Sequence, residues 1–111
     1  MIWNQLSPKS FVSTSLKLME EGLVHGLMRT VSKEFGKNGV NVNAIAPRVI
    51  VTDLFDTLYP TEESKEQLMA KIPIGRFGYP EDIANLACFL AAPESSYIHG
   101  QIILMDGGRT L

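Results

Sequence analysis

Apolar residues recur along this chain at two spacings, and the switches between them mark out its elements. From Leu16 the pattern steps by three and four through Met19, Leu23, Leu27 and Val31, with Val24, Met28 and Phe35 widening the stripe. That period describes one face of an α-helix. Ser13 or Ser15 is placed to cap its start, and Gly36 and Gly39 punctuate its end. Gly22 and Gly26 lie one turn apart inside it. Each costs about 1 kcal/mol against alanine, so close packing against a neighbour is expected there. Val40 to Ala46 reads as a short strand ended by Pro47. Residues 47–60 read as a loop with a helical turn after Thr52. Thr61 then caps a helix over about 62–71, with Glu62 and Glu63 at its positive end and Lys71 at its negative end. Pro73 and Gly75 break it. Pro80 suits the first turn of another helix, followed by the acids Glu81 and Asp82. Ile83, Leu86, Ala87 and Leu90 give this helix one apolar face, and Pro93 stops it. Gln101 to Met105 is a largely apolar run closed by Asp106-Gly107-Gly108, as expected for a strand buried on both faces. Residues 1–12 show no period, contain Pro8, and read as irregular.

The order is helix, strand, helix, helix, strand. A long helical connection between the two strands implies parallel pairing with a right-handed crossover. Fewer than three strands make a marginal sheet, so apolar faces are expected to remain exposed. The length, 111 residues, allows one small domain and is too short for a complete doubly wound α/β domain.

Composition narrows the function classes. Apolar residues make up 45% of the chain, which is ordinary for a globular protein. The formal charge is −2 with acids and bases interspersed, so no electrostatic footprint for nucleic acid is present. No apolar run is long enough to span a membrane. Met1 to Leu6 lacks the basic and apolar regions of a signal peptide, which makes the cytoplasm the default location. The single cysteine, Cys88, falls in a helical apolar stretch and reads as a buried, inert thiol. His25 and His99 have no cysteine or carboxylate at ligand spacing, so no metal site is expected. Asp106 reads as a turn acid, and Asn43 as an amide that satisfies backbone groups beside its strand.

Several blocks occur together in order. They are Gly26-Leu27 with Lys33-Glu34, then Val42-Asn43-Ala44-Ile45-Ala46-Pro47, Gly75-Arg76, Pro80-Glu81, and Gly100-Gln101 with Asp106-Gly107-Gly108. With these the chain resembles the C-terminal part of the short-chain dehydrogenase/reductase family, in its classical, 3-oxoacyl-ACP-reductase-like branch. The resemblance covers about residues 22–109. It implies an α/β fold: the C-terminal portion of a Rossmann-like doubly wound parallel sheet, about two parallel strands with three helices. Residues 1–111 would form a single partial domain, with a divergent, irregular segment at 1–15. The activity implied is hydride transfer between NAD or NADP and a carbonyl or alcohol.

The resemblance also implies a site. Pro47-Arg48-Val49-Ile50-Val51-Thr52 is similar to the family's Pro-Gly-x-Ile-x-Thr, whose backbone and Thr hydroxyl meet the nicotinamide carboxamide. Pro47, Ile50 and Thr52 match, and Arg48 stands where the family has glycine. Thr52 reads equally well as a cap for the turn at Asp53-Leu54-Phe55. The family's Tyr-x-x-x-Lys pair has no counterpart. Without a gap its slots fall on Lys17 and Glu21, and aligned on Val12-Ser13-Thr14-Ser15-Leu16 they fall on Val12 and Leu16. No residue is therefore assigned as catalytic. No Gly-rich phosphate loop opens a helix after a strand. The chain is expected to be a truncated fragment that is inactive alone. Its partners are expected to be further copies of itself or an intact relative. Leu54, Phe55, Leu58, Tyr59 and Leu68 suggest an apolar substrate lining.

Overall fold

The computed structural model describes residues 2–5 and 21–110. The elements run β1 (Ile2–Gln5), α1 (Glu21–Phe35), β2 (Val40–Pro47), α2 (Phe55–Leu58), α3 (Glu62–Met69), α4 (Pro80–Ala91) and β3 (Ile102–Met105). Short 3-10 turns sit at Gly36–Asn38 and Pro93–Ser95. Residues 13–20, where the sequence places the first helix's start and its cap, lie outside the described residues, as do Val12, Leu16 and Lys17.

β2 is the central strand, and Asn41 through Ile45 are all buried. Its two faces take different helices. Val42 and Ala44 pack with Met28 of α1, supported by Val24, Val31, Val40 and Ile102. Ile45 packs with Leu90 of α4, supported by Ile83, Leu86, Ala87 and Met105 among others. Burial of a side chain the size of Met28 or Leu90 contributes roughly 1.5–3 kcal/mol. A strand covered on both faces by helices is the arrangement of a doubly wound α/β sheet. β2 and β3 pair in parallel with Ala44 opposite Ile102 and Pro47 opposite Met105.

Polar side chains complete the ladder where the parallel strands have not yet met. Asn43, 1% exposed, donates from Nδ2 to the Ile98 carbonyl at 3.0 Å and accepts the Gln101 N–H at 3.0 Å. This is the backbone-satisfying role expected of it. Asn41 donates to the Ser96 carbonyl at 3.0 Å. His99 accepts the Val42 N–H on Nδ1 at 3.2 Å, and its Nε2 lies 2.7 Å from the Ser32 carbonyl. With Nδ1 accepting, Nε2 carries the hydrogen, so one neutral imidazole joins α1 to β2. Gly36 makes room for it, since a Cβ there would lie 2.9 Å from Nε2.

Several expectations are corrected. Residues 2–5 are not irregular. They form β1, antiparallel to β2, with Ile2 opposite Asn43 and Gln5 opposite Val40. A free edge of a buried strand offers unpaired N–H and C=O groups, and this segment satisfies them. Cys88 is exposed rather than buried. At 100° per residue it falls on the side of α4 opposite the stripe of Ile83, Leu86, Ala87 and Leu90. Leu27 is 59% exposed because the buried face of α1 centres on Met28 and Val31. Among the described residues, nothing lies within 4 Å of where a Cβ at Gly26 would stand. β3 is half-buried: Ile102 lies against the Met28 core and Ile103 and Met105 against the Leu90 core, but each only in part, and Leu104 is 48% exposed. α3 ends at Met69, two residues early. Its cap is as expected: Thr61 Oγ1 accepts the Ser64 N–H at 3.0 Å, and Ser64 Oγ accepts the Thr61 N–H at 3.2 Å.

Candidate functional site

Parallel α/β sheets bind ligands beyond the C-terminal ends of their strands, where loops diverge. Here the parallel register brings Pro47 and Arg48 beside Met105 and Asp106, and the Arg48 N–H donates to the Met105 carbonyl at 3.0 Å. The next residue, Val49, has φ 60°. A β-branched side chain rarely adopts the left-handed region, which costs on the order of 1–2 kcal/mol. The turn directs Ile50 across to the segment before α4. Gly78 donates to the Val49 carbonyl at 3.0 Å, and Val51 donates to the Gly78 carbonyl at 2.8 Å. A Cβ at 78 would come within 2.6 Å of Ile50 Cδ1, so the end of the Ile50 side chain would have to shift to admit one.

This bridge has a directional consequence. Val49 and Val51 turn their bonding groups toward Gly78, so by strand alternation Ile50 turns its own N–H and C=O to the opposite side. One donor and one acceptor side by side are what a primary carboxamide needs. Thr52, two residues on, is exposed.

The opposite wall is held by charge and by glycine. Arg76 grips Asp82 with two bonds, Nη1 to Oδ2 at 2.9 Å and Nη2 to Oδ1 at 3.1 Å. Asp82 Oδ2 also accepts the Tyr79 N–H at 2.8 Å at the start of α4. The guanidinium first, and then that backbone bond, hold the Asp82 carboxyl at about 2, below its ordinary 3.8. Asp106 behaves as the expected turn acid. It accepts the Thr110 hydroxyl at 2.6 Å, the Gly108 N–H at 2.9 Å and the Thr110 N–H at 3.0 Å. The Thr110 hydroxyl is the largest cause of its lowered pKa, with the backbone bonds adding to it. Gly107 lets the turn pass Ile72 and Ile74, whose methyls would lie 2.7 and 2.8 Å from a Cβ. Between these walls lies a cavity of about 250 Å³.

Of the three residues expected at the site, Ile50 lines this cavity, whereas Pro47 and Thr52 do not. Pro47 ends β2, and Thr52 starts the turn into α2 through its carbonyl, which accepts the Phe55 N–H at 2.9 Å. The apolar lining expected from Leu54, Phe55, Leu58, Tyr59 and Leu68 is not found there. Phe55 is buried against Phe77 (4.8 Å) and Tyr59 (5.3 Å), while Leu54 and Leu58 are 66% and 68% exposed. The lining comes instead from Ile72, Ile74, Ile83, Leu104 and Met105. The run Ile72-Pro73-Ile74 flanking a helix break was the available signal for it. Among the described residues, no group of three His, Cys, Asp or Glu gathers in metal-binding geometry, and no helix is long and apolar enough to cross a membrane.

Known proteins share this arrangement. The family model described as enoyl-(acyl carrier protein) reductase matches residues 18–110. A tropinone reductase homologue of Arabidopsis thaliana is 41% identical over 91 residues, covering 82% of this chain and 34% of that protein. The 3-oxoacyl-[acyl-carrier-protein] reductase of Staphylococcus aureus is 45% identical over 85 residues, covering 77% of this chain and 34% of that protein. The chain thus spans about a third of the length of the curated relatives it matches. Among solved structures, a 7α-hydroxysteroid dehydrogenase complexed with NADH and 7-oxo glycochenodeoxycholic acid superposes with TM-score 0.72 at 36% identity, over 79% of this chain and 34% of that one. The family model runs from before α1 through the turn after β3, relatives and solved structures match most of the chain, and on that ground the chain belongs to the short-chain dehydrogenase/reductase family.

Proposed function

We propose that this chain supplies the nicotinamide-side portion of an NAD(P)-dependent oxidoreductase acting on a carbonyl or alcohol, and that it does not turn over alone. The observation that carries the reading is the Ile50 backbone, whose N–H and C=O are turned away from the Gly78 bridge at the C-terminal end of β2. Thr52 adds an exposed hydroxyl beyond it, and Pro47 fixes where the strand stops. These residues fit the carboxamide end of the cofactor. The expected lack of turnover follows from the absence of a Tyr-x-x-x-Lys pair under either alignment, which removes the proton donor that carbonyl reduction needs.

A nuclear magnetic resonance titration tests the reading. With nicotinamide at millimolar concentration, the backbone amides of Ile50, Val51 and Thr52 should shift, and Thr52→Ala should weaken the effect. Shifts spread over other surfaces, with Ile50 silent, would refute the carboxamide role. NADH and NADPH should bind no tighter than millimolar, and a ketone panel should give no oxidation above a blank. Turnover abolished by Thr52→Ala would overturn the expectation of inactivity.

A second reading is favoured by exposed apolar residues: a non-catalytic piece that associates with copies of itself or with an intact relative. Leu27 and Phe89 are each 59% exposed and Leu104 is 48% exposed. A cytoplasmic location belongs to both readings, supported by the exposed free thiol of Cys88, which a reducing compartment keeps unpaired.

A further inference from the structure

We propose that the outer edge of β2 is a strand-pairing surface for a second copy of this chain, and that β1 is the chain's own strand held across it as an exchangeable strap. The bonding directions along β2 locate the surface. The Val42 N–H donates to His99 Nδ1 at 3.2 Å, the Val42 carbonyl accepts the Gly100 N–H at 2.7 Å, and the Ala44 N–H donates to the Gln101 carbonyl at 2.7 Å. All three point to the β3 side. By strand alternation, Asn41 and Asn43 turn their backbone groups to the other side. The register sets Asn4 opposite Asn41 and Ile2 opposite Asn43, so these are the pairs that exchange both N–H···O=C bonds.

Some strand has to fill this edge. Asn41 and Asn43 are 6% and 1% exposed, and a buried backbone group left unpaired is destabilising. Their own side chains are engaged on the β3 side, Asn41 Nδ2 with the Ser96 carbonyl and Asn43 with the Ile98 carbonyl and the Gln101 N–H. β1 has four residues, at the short end of strand lengths, and it lies outside the residues 18–110 that the family model matches. A second β2 fits the same edge. Antiparallel and centred on Val42, it sets Asn41 of each copy opposite Asn43 of the other and repeats both exchanging pairs about a two-fold axis. β1 holds the edge because it is tethered: a linked strand acts at an effective concentration on the order of millimolar, above that of a second copy at micromolar concentration.

The proposal deepens the reading in which copies of this chain associate, and rests on it for the partner. Every variant in the test therefore carries Leu27→Lys, which removes the α1 contact that reading predicts, so the two can fail separately. Asn4→Pro takes away the N–H that meets Asn41, whereas Asn4→Ala keeps every backbone donor. At low micromolar concentration Asn4→Pro should speed amide exchange at Asn41 and Asn43 by about tenfold or more, with the α4 amides still protected. As its concentration rises, sedimentation should show a dimer, and protection at Asn41 and Asn43 should return. An excess of a synthetic peptide of residues 1–5 should restore the monomer. Asn4→Ala should stay monomeric with both amides protected. Unchanged exchange at Asn41 and Asn43 in Asn4→Pro would overturn the proposal. So would an Asn4→Pro chain that stays monomeric at every concentration, or a dimer in which those two amides still exchange fast. Loss of protection throughout α4 would overturn it as well, because β1 would then hold the fold together rather than close an edge.

Discussion

Asp82 shows how one side chain couples two structural tasks. It clamps Arg76 and also caps the first turn of α4 through the Tyr79 N–H. Its carboxyl is held at about 2 against an ordinary 3.8. A group with a depressed folded pKa contributes stability that is fully present above its unfolded value and is lost as pH falls through the folded one. Stability should therefore decline between pH 3.8 and about 2, and Asp82→Asn should lower the neutral limb of an acid denaturation curve and flatten that acid part of it. An unchanged acid limb in the variant would refute the coupling. Val49 makes a different prediction. Its positive φ is a strain that glycine lacks, so Val49→Gly should raise stability by about 1 kcal/mol, read from the urea midpoint. A lower midpoint would mean that packing of the valine outweighs its backbone strain.

At this scale the sequence was legible where a side chain's partner lies close along the chain. Thr61 and Ser64 are three residues apart, and the Asp106 turn is complete within four. Burial along a helix was less legible. Cys88 and Leu27 sit beside apolar neighbours in sequence, but only the position of the sheet decides which face of the helix is covered.

The elements themselves follow the periodicity, and their junctions do not. β2, α3 and α4 lie where the pattern placed them, and the helical turn after Thr52 is α2. β1 was illegible because four residues carry no period, and their pairing depends on an edge of β2 that lies some forty positions away. The bridge between Ile50 and Gly78 was illegible for the same reason. It is nonetheless the joint that fixes the loop after β2 to the start of α4. Gly78→Ala should drive a methyl into Ile50 Cδ1, 2.6 Å from the new Cβ. Overpacking of this kind costs typically 1–3 kcal/mol, and Ile50→Ala in the same chain should restore part of it. Additive losses in the double variant, measured by thermal unfolding, would show that the two residues do not meet.

For the whole molecule, the parallel sheet implied by the resemblance is present, and so are the two helices that sandwich its central strand. Exposure of Leu27, Phe89 and Leu104 leads to an expectation about association. At tens of micromolar, light scattering should report a species larger than one chain, and Leu27→Lys should reduce it by removing an apolar contact. A folded monomer indifferent to Leu27→Lys would refute any contact through α1.

The two cores on either side of β2 have a further consequence, for cooperativity. One joins Met28 to Val42 and Ala44, the other joins Leu90 to Ile45, and the paired strands β2 and β3 pass between them, with Ile102 on the first and Ile103 and Met105 on the second. Small domains ordinarily unfold as one unit because every layer shares its packing with the next. Here α1 and α4 share the sheet and, among the described residues, no core, so each half can open while the other stays closed. Native-state hydrogen exchange should resolve them as two foldons. Met28→Ala should accelerate exchange through α1 while the amides of α4 keep their protection, and Leu90→Ala should do the reverse.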